Sequence, residues 1–227
     1  MNELLTLIQI LVAFSLTVAT YRIFGKTGLY VMAGVFVLYA NLEVANLVDV
    51  FGMTVSLGNI AFVGANLIQD TLNETEGEKA AQKTVWFGFL GCISIVLISQ
   101  ISIHFIPNEY DTIHDSFRAV FAPFSIVTAI SLFTYLISNT VNVKLYALIS
   151  KYTNKTWLRS QGSTWVSQAV DTLIMTLLCA VFGVFAWETV VDLLITTYLI
   201  KIVVMVSEVP FLYINKNLFK KNKIPVY

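Results

Sequence analysis

The chain has 227 residues, 57% of them hydrophobic and only 12% charged, with 14 basic and 14 acidic side chains. Soluble domains carry about 25% charged residues, so no ordinary soluble enzyme fits this composition, and zero formal net charge gives no whole-chain attraction to nucleic acid. Several apolar runs approach the ~20 residues that cross a bilayer. The sequence therefore predicts an all-α, polytopic membrane bundle of six to seven transmembrane helices, forming a single integral membrane domain over residues 1–227.

The first apolar run spans about Leu4 to Tyr21. It lacks the basic n-region and small-residue cleavage site of a signal peptide, so it reads as a membrane helix. Arg22 and Lys26 follow it. A second run, from about Gly28 to Ala45, ends among Asn41, Glu43 and Asn46, before Asp49 and a bend at Gly52. These polar groups either face an internal cavity or lie at headgroup level.

The next segment, starting near Ser56, is the unusual one. Within an apolar helix it carries Asn59, Asn66, Gln69, Asp70, Asn73 and Glu74. Asn59, Asn66, Asp70 and Asn73 follow one another at offsets of 7, 4 and 3 residues, which places them on one helical face. The reverse side, with Ile60, Val63, Leu67 and Leu72, can meet lipid or a neighbouring helix. A carboxylate near the middle of a membrane costs roughly 2.5–3.5 kcal/mol, which suggests a task for Asp70. The alternative places Asp70 and Glu74 at the helix end, reaching headgroup water.

A span from about Thr84 to Phe105 follows, with Gly88 and Cys92 four residues apart for close helix packing and Trp86 at its end as a belt aromatic. The stretch Pro107 to Asp115 reads as an exposed loop. His104 and His114 lack carboxylate or cysteine partners at ligand spacing and read as solvated. Another span, from about Phe117 to Ile137, continues through Asn139, Asn142 and Lys144. Beyond the basic Lys151, Lys155 and Arg159 lies a second polar membrane segment, Arg159 to Phe185, with Thr164, Gln168 and Asp171 on one face. After Glu188 and Asp192, the last span runs to about Tyr213, with Lys201 inside it and Glu208-Val209-Pro210 near its end. Lys216, Lys220, Lys221 and Lys223 close the chain. Cys92 and Cys179 read as small buried hydrophobes, without disulfide or metal spacing.

With seven spans, the basic residues fall in alternate loops, and Asp49, Glu109, Asp111 and Glu188 fall in the others. Positive charge stays on the cytoplasmic side, so the N-terminus is expected outside and the C-terminus in the cytoplasm. Two intramembrane polar faces and a buried lysine on separate spans suit a substrate pocket between helices. The sequence has no HExxH motif, GxSxG elbow or paired His/Asp helix motif, so it is not expected to be an enzyme. A small oligomeric channel or an accessory membrane subunit is the rival class.

Three ordered motifs resemble those of the queuosine precursor transporters of the vitamin-uptake-like family. The stretch Asp70-Thr71-Leu72-Asn73-Glu74-Thr75-Glu76-Gly77-Glu78-Lys79-Ala80-Ala81 resembles the family's D-x-x-N-E-x-x-G-x-x-x-A signature. The segment Arg159-Ser160-Gln161-Gly162-Ser163-Thr164 through Gln168-Ala169-Val170-Asp171-Thr172 resembles its R-x-x-x-S-T-x-x-x-Q-x-x-D-[ST] motif. Lys201 followed by Pro210-Phe211-Leu212-Tyr213 resembles its K-(x)n-P-[FV]-x-Y ending. The chain departs from the pattern at Glu76, where an aromatic is usual, and at Glu208-Val209, where Asp-Thr is commoner.

The resemblance implies import of 7-deazaguanine compounds, namely the cyano and aminomethyl precursor bases (preQ0, preQ1) or queuine, across the bacterial cytoplasmic (inner) membrane for queuosine salvage into transfer RNA. Another small heterocycle or vitamin is the alternative substrate. A guanine-like edge presents an N–H and an amino group side by side, which match the two oxygens of one carboxylate. Asp70, Glu74 or Asp171 can supply it. Gln168, Asn66 or Asn73 can complete the polar edge, and Phe62, Trp165 and Tyr135 are candidate aromatic walls by residue type. The expected substrate-binding set is Asn66, Asp70, Asn73, Glu74, Arg159, Gln168, Asp171 and Lys201. No cofactor and no nucleic-acid partner is implied. Beyond substrate and lipid, the open partners are a second copy of the chain and an energising subunit, since the chain carries no ATP-binding signature.

Overall fold

The structure is a computed structural model that describes residues 1–43, 46–121, 126–184 and 186–225. Ala45 and Phe185, the expected ends of two apolar segments, lie outside the described residues. Chain order is α1 (Asn2–Leu42), β1 (Leu47–Val50), β2 (Met53–Ser56), α2 (Leu57–Thr75), α3 (Glu78–Ser102), α4 (His114–Phe121), α5 (Ile126–Ile149), α6 (Thr156–Val181), α7 (Val190–Val206) and α8 (Val209–Lys220). The protein is an all-α membrane bundle with one small hairpin.

A straight helix of the 41 residues in α1 would be about 60 Å long, twice the hydrocarbon thickness. It breaks at Gly25, whose φ of 58° and ψ of −148° suit only glycine. The Pro225 carbonyl packs where a Cβ at Gly25 would stand, so the bend also seats the end of the chain. The two arms run back along each other. Asn2 Nδ2 donates to the Asp49 carbonyl at 2.9 Å, and Gln9 Nε2 donates to Glu43 Oε2 at 3.3 Å. The two expected N-terminal spans are thus the arms of one bent helix.

The bend expected at Gly52 is a two-stranded antiparallel hairpin that pairs Val50 with Met53. Phe51 (φ 51°) and Gly52 (φ 75°) both take positive φ, the requirement of the two-residue turn that matches strand twist. Strands this short carry too few alternating positions to stand out from an apolar background.

Helix α2 is the centre of the bundle. Ala65, Ile68 and Leu72 pack on Leu29, Ala33, Phe36 and Val37 of α1, Val85 of α3 and Leu132 of α5. Ile60, Val63 and Leu67 pack on Ile10 and Phe14 of the first arm and Leu212 of α8. The reverse face of α2 therefore meets neighbouring helices, and its polar face is enclosed as well. Close approach is built in at Gly64, where a Cβ would stand 2.7 Å from the Phe36 ring, and at Gly88, where it would collide with Tyr135. Cys92 instead accepts from Asn41 Nδ2 at 3.3 Å.

Four helical stretches are long and apolar enough to cross a membrane: Asn2–Leu42, Glu78–Ser102, Thr156–Val181 and Trp187–Lys220. On α7, Val191, Ile195, Leu199 and Val203 recur every four residues and are exposed, the pattern of a lipid-facing stripe. The expected span Phe117–Ile137 takes in the end of α4 and the start of α5, with residues 122–125 between them outside the described ones, and α5 continues through Asn139, Asn142 and Lys144. The expected last span divides as well. Pro210 has no N–H for the Val206 carbonyl, and the turn tightens so that Ser207 N–H bonds to Val204 and Glu208 N–H to Met205.

Charge separates by end. Lys26 reaches Glu76 at 3.5 Å, and Arg159 and Lys216 both reach Glu74, so the basic segments gather at one end of the bundle. The hairpin, Glu3, Glu43 and the exposed loop ending at α4 lie at the other.

Candidate substrate site

The spacing of helical turns on α2 sets Glu74, Asp70 and Asn66 in a file, with Asn73 beside it. At the basic end, Glu74 is fully engaged. Its Oε2 accepts from Arg159 Nη1 at 2.8 Å and Tyr146 Oη at 2.7 Å. Its Oε1 meets Lys216 Nζ at 2.5 Å and accepts from Thr156 Oγ1 at 3.2 Å. Two cations and two hydroxyls from α5, α6 and α8 thus close on one carboxylate that is only 3% exposed. Lys216, expected among the free terminal lysines, is drawn into this cluster because α8 folds back beside α2.

One turn deeper, Asp70 is completely buried. Ser160 of α6 and Asn142 of α5 lie close enough to act on it as donors, yet neither Asp70 oxygen has a partner of full hydrogen-bond geometry among the described residues. Each makes a hydrogen bond elsewhere, and the Asn142 amide keeps a second N–H. Ser160 Oγ donates to Glu208 Oε1 at 3.1 Å, and Asn142 Nδ2 donates to Gln69 Oε1 at 3.5 Å. Glu208, also fully buried, keeps Oε2 unpartnered. Asn73 and Asn215 each donate an amide N–H, to the Val143 carbonyl and to Thr71 Oγ1, both at 2.9 Å, while their Oδ1 atoms have no donor among the described residues. The unsatisfied groups on α2 and α8 are therefore all acceptors.

The polar file continues along α6. Thr164 Oγ1 donates to Asn142 Oδ1 at 3.4 Å, and Gln168 is buried one turn beyond. Asp171 then pairs with Lys201 Nζ of α7 at 2.6 Å and accepts from Ser138 Oγ of α5 at 2.9 Å. Residues 160 and 171 are about 16 Å apart in helical rise. Asp70 and Asp171 consequently stand at different depths of one interhelical file, the first unpaired and the second held by a cation. Asn66 is buried against Met205, its Nδ2 3.8 Å from the Sδ. Of the aromatic candidates, Phe62 and Tyr135 pack edge to face at 6.1 Å. Trp165 is exposed on the outer side of α6, donating to Gln161 Oε1 at 3.0 Å.

Glu208 is absent from the set expected from sequence, as are Ser160, Asn142 and Asn215. A carboxylate two residues before a proline in an apolar run was the available signal, because broken helices place polar groups at membrane depth only where they line a protein interior. The break has its own support: Gln161 Nε2 donates to the Met205 carbonyl at 3.3 Å and lies 3.5 Å from Glu208 Oε1.

A desolvated carboxylate without donors costs several kcal/mol. A ligand that brings N–H groups or positive charge offsets that cost, as does a proton on the carboxyl itself. A polytopic helical bundle with such a group between its helices suits a membrane transporter of small molecules. The family model described as "Putative vitamin uptake transporter" matches residues 56–215, and the chain belongs to this family. The match takes in every residue of the file from Asn66 to Asn215. The chain is also 32% identical over 216 residues, 94% of each sequence, to the Bacillus subtilis (strain 168) protein named "Probable queuosine precursor transporter". No solved structure matches it.

Proposed function

We propose that this protein imports queuosine precursors, 7-deazaguanine bases, across the cytoplasmic membrane for salvage into transfer RNA, acting as a single transport domain without covalent change to its substrate. The observation that carries the reading is the pair of Asp70 oxygens, buried and without a partner of hydrogen-bond geometry among the described residues. The ring N–H and neighbouring amino group of a deazaguanine supply two parallel donors to one carboxylate, a charge-assisted pairing. Asn73 Oδ1 offers a further acceptor from the same helix. The name of the Bacillus relative supports the same substrate class.

In this reading the two ion-paired carboxylates have a different role from Asp70. Glu74 with Arg159 and Lys216 clasps α2 to α6 and α8 at the basic end, and Asp171 with Lys201 clasps α6 to α7 deeper in the bundle. Since Asp70 is sealed between them, substrate enters and leaves as these clasps open in turn. The gathering of basic residues at one end supports a cytoplasmic position for that end and for the C-terminus.

Uptake of a radiolabelled deazaguanine base into proteoliposomes tests the proposal. The expected flux saturates and is competed by unlabelled 7-deazaguanine bases. Flux that rises linearly with concentration would instead identify a channel and overturn the reading.

A further inference from the structure

We propose that Glu208 is a specificity-determining second carboxylate, which selects deazaguanine bases bearing a primary ammonium arm over those whose arm is uncharged. This rests on the import reading above, and it concerns a residue at which the chain departs from the family pattern.

The argument begins with the charges around Asp70. Arg159 and Lys216 bring two positive charges, whereas Glu74, Asp70 and Glu208 bring three negative ones when ionised. Tyr146, the remaining titratable neighbour, donates its hydroxyl to Glu74 and adds no positive charge. Lys201, on α7, is engaged by Asp171. With all three carboxylates ionised the cluster is one positive charge short. In a low-dielectric interior an uncompensated charge is costly, so without a cation one carboxyl holds a proton, and a monocationic ligand can take that proton's place where a neutral one cannot.

The two free carboxylates also differ in what they can accept. Asp70 has both oxygens open, which suits the two side-by-side donors of a guanine-like edge. Glu208 has one oxygen held by Ser160 and one open. A single open oxygen suits an ammonium, a compact charge that needs no bidentate partner. Ser160 lies beside both carboxylates, so one ligand can reach the two. Glu208 also stands at the N-cap position of α8, without a side-chain capping bond, where the helix dipole favours a negative group.

The test is competition for uptake of the radiolabelled aminomethyl base into proteoliposomes by unlabelled aminomethyl and cyano bases. Wild-type protein is expected to favour the aminomethyl base by about tenfold or more, the worth of one charge-assisted contact. Glu208→Gln removes the charge at nearly constant shape and is expected to bring the ratio to within about threefold, while Glu208→Asp retains the preference. A wild-type ratio near one overturns the inference without any variant. It is equally overturned if Glu208→Gln weakens both bases alike, or if the variant keeps the preference and instead loses dependence on a proton gradient, which would make Glu208 a proton site. If neither base is taken up or competes, the import reading itself fails.

Discussion

Asp70 and Glu74 stand one helical turn apart on α2, and the structure predicts opposite consequences for neutralising them. In Glu74→Gln the substituted group still accepts hydrogen bonds, but Arg159 and Lys216 lose the carboxylate they share. With Glu74 only 3% exposed, removal of one partner from a buried ion pair costs about 3–5 kcal/mol. In Asp70→Asn no ion pair is lost, because neither Asp70 oxygen has a partner among the described residues. The new amide instead brings donors to a region of unpaired acceptors that includes Glu208 Oε2. Asp70→Asn is thus expected to keep or raise thermal stability in detergent while presenting a donor to the substrate's donors. Loss of a charge-assisted pair worth about 1.5–3 kcal/mol weakens binding roughly tenfold to a hundredfold. Thermal unfolding of both purified variants, together with labelled-base uptake at matched abundance, checks the contrast. A large loss of stability in Asp70→Asn, or its near-normal uptake, would refute the separation of binding carboxylate from structural carboxylate.

Further outcomes follow from other contacts. Asp171→Asn or Lys201→Met alone should lower stability by about 1–3 kcal/mol, since each leaves a partly buried partner without its counter-charge, and the double variant should recover much of the loss; chemical or thermal unfolding in detergent reads the cycle. Gly64→Val should destabilise by about 1–3 kcal/mol, because even a Cβ there would stand 2.7 Å from the Phe36 ring; the midpoint of thermal unfolding measures it. A reporter active only outside the cytoplasm should be silent when fused after Lys223 and active when fused near Asp111, and the reverse pattern would overturn the orientation drawn from charge.

Much of the bundle was legible because apolar runs of sufficient length have few alternatives in a membrane. The polar stripe on α2 was legible for the same reason, since Asn66, Asp70 and Asn73 at helical spacing need an interior to face. Which carboxylate takes which cation was not. Arg159 chooses Glu74 over Asp70, a difference of one helical turn that depends on how α6 approaches α2. Lys216 looked like one more tail lysine until the kink at Pro210 turned α8 against α2. Glu208 was hidden by the same kink, which directs it towards Ser160 and away from lipid. The burial of Ile60 and Leu67 likewise follows from α2 being surrounded by helices, a fact of topology that the periodicity of one segment does not contain.

The central claim is that Asp70 holds a queuosine precursor on its way into the cell. Its most direct test scores queuosine in the transfer RNA of cells that cannot make the precursor, supplied with the aminomethyl base at limiting concentration. Expression of the wild-type chain should restore the modification, and Asp70→Asn at equal membrane abundance should not. Restoration by Asp70→Asn to the wild-type level, or restoration without the chain at all, would contradict the claim.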